Sequence, residues 1–171
     1  TERIGQIMGG VSAEICRLFN ADRLTLYAVS EDGQSIVSRV KVGLHTSREL
    51  KLPISPQSIA GYVALTRRIL NLANARDEEE IQAISPDLHF LKEVDRRSGY
   101  RTKQMLVAPI EDGGVLYGVL QLINNRGDQP FGPLDMDGAQ QLCKTLAIAF
   151  RQRHDGSAAP TPAPAPAFRP A

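Results

Sequence analysis

Between Asp95 and Asn125 the sequence sets polar chemistry directly against apolar segments. A carboxylate (Asp95), hydroxyls (Ser98 and Thr102) and cations (Arg96, Arg97, Arg101 and Lys103) precede the runs Gln104–Ile110 and Leu116–Ile123, which are rich in Val, Ile and Leu. Such groups at the entrance to buried strands suit non-covalent recognition of a small molecule: hydroxyls donate and accept, a carboxylate accepts, and cations attract phosphate. Each also has a plainer role. Asp95 ahead of Arg96-Arg97-Ser98 is a common turn-capping arrangement, and the basic cluster reads equally as solvated surface. Elsewhere the chemistry is sparse. His45 and His89 lack the partner spacing of a metal site, and His154 falls where it answers a helix dipole. Cys16 and Cys143 lie among apolar neighbours on predicted helices and read as small core residues. No nucleophile–base pair or metal set is spaced for catalysis, so the chain is expected to be no enzyme in itself and to hold no metal.

The elements that must position these groups follow from periodicity. Ile4, Ile7, Met8, Val11, Ile15, Leu18 and Phe19 recur at helical spacing and predict an amphipathic helix over 2–20. Gly9-Gly10 in its middle suggests close approach of another helix. Arg23–Val29 alternates as a strand, and Ser35–Val42 is its hairpin partner across the Glu31-Asp32-Gly33 turn. Leu50–Ile54 is a short strand bounded by prolines. Ser58 caps a helix beginning Ile59-Ala60-Gly61, and Ile69–Leu72 is a short buried strand. Residues 75–92 read as a helical excursion. The two apolar runs then form a hairpin, because Asp112-Gly113-Gly114 supplies the positive backbone angles of a two-residue turn. A second one-sided helix runs from Pro133 to about Arg153. The order predicts an α+β fold: a central antiparallel sheet of about six strands, terminal helices on one face and a pocket on the other.

Composition bounds the rest. With 171 residues, 42% of them apolar, the chain holds one domain, expected over 1–155, followed by an Ala/Pro-rich linker over 156–171. A linker of that kind predicts a further domain downstream. A net charge of +1 gives no basis for nucleic-acid binding, and no apolar run approaches the length of a membrane span. Two cysteines without a Cys-x-x-Cys pattern suit a reducing, cytoplasmic setting.

An ordered set of segments resembles the GAF domain, the regulatory module of cyclic-nucleotide phosphodiesterases and adenylyl cyclases. It comprises Ile59-Ala60-Gly61-Tyr62-Val63-Ala64, Ile69 to Ala75, Val94-Asp95 with Ser98 to Thr102, Met105 to Ile110, and Gly118 to Asn125. The resemblance covers about residues 3–153. It implies a non-catalytic small-molecule-sensing and dimerising domain of a larger bacterial protein, pairing with a second copy through its terminal helices. The wording of the sequence is similar to the domain that precedes the motor in secretion and pilus-assembly ATPases. Hosts such as cyclases and histidine kinases, or a ligand-free assembly module, are the alternatives.

Carried over residue by residue, the resemblance implies ligand contacts at Thr25, Ile59, Asp95, Ser98, Thr102 and Gln121, with a cyclic nucleotide as one candidate ligand. Gln121 stands where some relatives carry Glu. The second predicted strand ends Lys41-Val42-Gly43, where strong cyclic-GMP binders carry an acid. Guanine's N–H edge therefore loses its natural acceptors. A bracing motif maps to Asn125, Arg126, Phe131 and Asp135, with Met136 where the family has Glu; an Arg126–Asp135 ion pair would serve as the brace, although on physics alone it reads as an exposed pair worth about 0.2–1 kcal/mol. The chain lacks the pocket-loop cysteines of GAF-like methionine-sulfoxide reductases and a cysteine placed to attach a bilin.

Overall fold

The computed structural model describes residues 2–42, 49–90, 96 and 99–157. Helix α1 (Glu2–Phe19) runs through Gly9-Gly10 and ends where Asn20 takes a positive φ of 55°, the left-handed terminator that Asn tolerates. Strands β1 (Ala21–Val29) and β2 (Ser35–Val42) follow as a hairpin. Its turn is held by the Asp32 carboxylate, which accepts from Ser30 Oγ at 2.6 Å and from the Gln34 N–H at 3.0 Å. Next come β3 (Lys51–Pro53), α2 (Ile59–Thr66), β4 (Leu70–Leu72) and α3 (Glu78–Ile84). Strands β5 (Met105–Asp112) and β6 (Val115–Asn125) and helix α4 (Pro133–Ser157) complete the described elements. The strands form one antiparallel sheet in the order β3-β2-β1-β6-β5-β4. This is the α+β architecture expected.

Period-two alternation divides the sheet into two cores. Leu24, Leu26, Leu106, Ala108, Ile110, Leu120 and Leu122 face α1 and α4, where Ile15, Phe19, Phe131, Cys143 and Leu146 meet them. Tyr27, Met105, Val107, Val119 and Ile123 face the other way, against Ile59, Ala60 and Val63 of α2. The faces exchange along β2. Leu26 pairs with Val40 but Tyr27 pairs with Ser38, so Arg39 is the extra residue of a bulge. Val40 therefore joins the helix-side core and Ile36 the α2-side core.

Two glycine positions set the approach of elements. The β5–β6 turn is Gly113-Gly114, with φ of 60° and 80°, between the paired Asp112 and Val115. Gly118 lies so close to β1 that a Cβ there would stand 2.0 Å from the Tyr27 carbonyl oxygen. Strand β3 is shorter than the expected Leu50–Ile54, and α4 extends to Ser157, into the segment expected as linker. The expected Arg126–Asp135 ion pair does not form. Asp135 sits in the first turn of α4 and spends an oxygen on the Gly132 N–H at 2.9 Å, the local satisfaction of a helix start, while Arg126 is exposed.

Candidate functional site

Between α2 and the face of the sheet beneath it lies a half-open cavity of about 80 Å³. Its floor is the centre of the sheet. Residues two apart in β1 share a face, so Arg23, Thr25 and Tyr27 all point into it, as do Gln121 and Ile123 of β6 and Met105 of β5. Thr25 pairs directly with Gln121, and Arg23 with Ile123, so the polar side chains sit side by side. The roof is the start of α2, where Ser58 caps the helix by accepting the Gly61 N–H at 3.0 Å. Leu50, Leu52 and Phe90 close the sides.

The polar groups lining this cavity are buried to a degree unusual for their types. Thr25, Thr102 and Gln121 retain 3%, 4% and 8% exposure, and Arg23 retains 7%. Burial holds the Tyr27 phenol protonated well above its ordinary range, only partly offset by its hydrogen bond with Gln121. The Arg23 guanidinium stacks on the Tyr100 ring, 3.3 Å from its centroid. The Tyr100 hydroxyl donates to Asp22 Oδ2 at 2.5 Å, and burial and the Asp22 carboxylate together push its own ionisation up.

Asn124 fastens the segment that carries Thr102 to the end of β6. Its Oδ1 accepts the N–H groups of Lys103 at 2.7 Å and Gln104 at 3.1 Å. Its Nδ2 donates to Tyr100 OH at 2.9 Å and to the Arg101 carbonyl at 2.8 Å. Two residues of the expected bracing motif lie just beyond. Asn125 Oδ1 accepts from the Gly127 N–H at 2.8 Å, and buried Phe131 receives Asn71 Nδ2 on its carbonyl at 2.7 Å.

Of the site residues expected from sequence, Thr25, Ile59, Thr102 and Gln121 line this one cavity. Asp95 and Ser98 lie outside the described residues. Arg23, Tyr100 and Asn124 were not singled out. Arg23 had a signal: a cation two residues before Thr25 in a strand must share its face.

The two thiols are remote from this chemistry. Cys16 and Cys143 are both free and pack in the core on the helix side of the sheet. Burial pushes the Cys143 thiol up to about 12 and raises that of Cys16. Neither offers a thiolate nucleophile near neutrality. Among the described residues no cluster of three or more His, Cys, Asp or Glu could hold a metal, and no helix is long and apolar enough to cross a membrane.

Comparison with known proteins bears on the same fold. The family described as GAF domain matches residues 4–150. A probable 3',5'-cyclic phosphodiesterase of Caenorhabditis elegans (pde-5) is 33% identical over 145 residues, which cover 78% of this chain but 18% of that protein. Among solved structures, the GAF domain of a phosphoenolpyruvate-protein phosphotransferase from Coxiella burnetii superposes with a TM-score of 0.70 at 20% identity, covering 90% of this chain and 86% of that one. Residues 122 to 287 of a methyl-accepting chemotaxis protein give 0.71 at 14% identity, covering 91% and 93%. At those identities the structural likeness speaks for the fold alone.

Proposed function

The chain belongs to the GAF domain family, and on that premise we propose that it is a non-catalytic regulatory module whose ligand enters the cavity between α2 and the sheet. The observation that carries this reading is the floor itself. Buried core positions at the centre of a sheet are normally filled by apolar side chains, and here Thr25 and Gln121 occupy them beside a cavity, with buried Thr102 of the segment before β5 lining it too. The start of α2 adds backbone N–H groups without intrahelical acceptors. Thermal unfolding in the presence of a panel of small molecules tests it. A ligand at about 100 times its dissociation constant stabilises the fold by roughly 2.7 kcal/mol, which the melting temperature registers clearly. A panel without a single shift sinks the reading.

The relative named a cyclic phosphodiesterase puts cyclic AMP and cyclic GMP on that panel. The cavity is about half the volume of the roughly 150 Å³ cavity that admits benzene, so a nucleotide must either extend out through its open side or displace α2.

Self-association through the terminal helices is the second reading. Val11 and Leu18, two turns apart on α1, and Leu134 and Ile148 on α4 are apolar and exposed, Leu18 to 78% and Leu134 to 85%. Leu142 packs partly against the helix-side core, so Leu18→Glu is the cleaner disruption. Sedimentation of the wild type as a dimer and of Leu18→Glu as a monomer supports this reading; a concentration-independent wild-type monomer ends it.

The host is a separate matter. The chain spans less than a fifth of the phosphodiesterase relative's length. The Ala/Pro-rich segment and the wording of the sequence favour a cytoplasmic secretion or pilus-assembly ATPase as the larger protein, with a cyclase or histidine kinase as the alternative. A phosphate-loop motif in the full-length sequence supports the first, and its absence overturns it.

A further inference from the structure

We propose that the cavity is an anion site, in which Arg23 receives the carboxylate of a short aliphatic acid whose tail lies against Leu52, Ile59 and Met105. The inference deepens the reading of the cavity as a ligand site and rests on it. Its centre is a buried cation. Arg23 is 7% exposed and lines the cavity. Its guanidinium lies over the Tyr100 ring, which covers a face of the group but accepts none of its in-plane N–H donors. Among the described residues Arg23 has neither a carboxylate partner nor a hydrogen-bond acceptor. The carboxylate next to it in sequence, Asp22, accepts from Tyr100 instead. Elsewhere arginines meet their carboxylates at the surface, as Arg39 does with Glu49 and Arg67 with Glu111. The side chain is nearly covered and its guanidinium opens onto the cavity, so a counter-charge that enters there meets a cation with little hydration to give up.

The rest of the lining agrees in sign. No Asp or Glu is among the described residues that form the cavity. Thr25 and Thr102 bring hydroxyls and Gln121 an amide, all able to donate. The first-turn N–H groups of α2, an eight-residue helix, add the positive end of a dipole. Size and wall chemistry narrow the class further. About 80 Å³ admits a few non-hydrogen atoms, and the walls opposite Arg23 are aliphatic. A bare oxyanion would leave those walls without contact, whereas a short carbon tail covers them.

The test is thermal unfolding and calorimetric titration of the full chain at constant ionic strength with butyrate, its neutral isostere butyramide, nitrate and cyclic GMP. Butyrate is expected to raise the melting temperature, with butyramide binding at least about tenfold more weakly, because the charge-assisted contact is lost. Arg23→Met keeps the length of the side chain and removes the charge. It is expected to leave the ligand-free melting temperature undiminished and to weaken butyrate at least about tenfold. Equal binding of butyrate and butyramide overturns the anion site, as does butyrate binding that survives Arg23→Met. Nitrate binding as tightly as butyrate overturns the aliphatic tail. A cyclic GMP shift that is indifferent to Arg23→Met, with no butyrate shift, overturns the anion site and leaves the sensory reading standing. No shift with any probe overturns both. Should Arg23→Met fail to fold, the wild-type comparison of butyrate with butyramide decides alone.

Discussion

Gly61→Ala tests the placement of α2 over the cavity, because two general rules give opposite signs for it. In a helix, Gly→Ala ordinarily stabilises by about 0.8–1 kcal/mol. Here a Cβ would stand 2.5 Å from the Pro53 carbonyl oxygen, 2.7 Å from Ser58 Oγ and 2.9 Å from the Ser55 carbonyl oxygen. The closest ordinary C···O approach is about 3.3 Å, so α2 would have to retreat from β3 by roughly 0.8 Å. Two of the obstructing atoms are backbone and cannot rotate away. The third is the capping hydroxyl itself, whose bond to the Gly61 N–H is at risk. Overpacking costs about 1–3 kcal/mol and loss of the cap about 0.5–2 kcal/mol, which together exceed the helical gain. A net loss near 2 kcal/mol lowers the melting temperature of a chain this long by about 4–8 °C. Gly138→Ala in α4 is the control. Its Cβ would meet only the Phe19 ring, at 3.3 and 3.5 Å, and a ring edge can give way, so the result should lie between neutral and about 1 kcal/mol more stable. Urea unfolding of both variants reads the difference. A Gly61→Ala protein as stable as wild type would refute the tight seating of α2.

Asn124→Ala removes acceptors for Lys103 and Gln104 and donors to Tyr100 and Arg101, at a position with φ of 57°. It should cost at least about 2 kcal/mol in urea unfolding, and Asn124→Gly should recover the backbone part only; recovery of wild-type stability by Asn124→Gly would mean that the side-chain bonds contribute little. The Cys143 thiol, raised by burial from 9.0 to about 12, stays neutral in the folded state while the unfolded chain's thiol ionises. Its contribution to stability is therefore complete below about pH 9 and is lost progressively from there toward pH 12. Cys143→Ala should flatten the alkaline decline of the urea midpoint, and neither native thiol should react with Ellman's reagent at pH 8 before unfolding.

What could be read without coordinates was whatever depends on neighbours in sequence. Gly113-Gly114 demanded a two-residue turn and Ser58 announced a helix start, whereas Thr25 and Gln121 came from the family resemblance. What escaped depends on contacts distant along the chain. Alternation puts Arg23 on the face of Thr25 but does not say that this face is covered there. Its burial follows from β1 lying between β2 and β6 at the centre of the sheet, with α2 above. The Tyr100–Asp22 bond joins residues 78 apart, and no local pattern signals it. Asp135 was assigned to Arg126 by analogy, yet the N–H of Gly132, three residues away, is a nearer claimant at the start of a helix. Local satisfaction of a backbone donor outweighs an exposed ion pair worth about 0.2–1 kcal/mol.

Alternation along β1 and β6 ties the site to the helices. Thr25 lies between Leu24 and Leu26, and Gln121 between Leu120 and Leu122, and all four leucines are at most 1% exposed beneath α1 and α4. On the proposed reading, a ligand signals only through the difference in its affinity for two helix arrangements. Moving a population from 1:99 to 99:1 takes about 5.5 kcal/mol of such difference. A short acid covers few methylene groups at about 0.8 kcal/mol each, and its tail meets walls away from the strand centres. Charge-assisted hydrogen bonds at about 1.5–3 kcal/mol can supply the difference in about two to four contacts. The polar floor, and not the aliphatic wall, must then be the part that communicates. Gln121→Leu should therefore blunt the ligand-induced change in amide hydrogen exchange along α4 more than it weakens binding, whereas Met105→Leu should leave that change intact. Equal loss of response in both variants would place the coupling outside the floor.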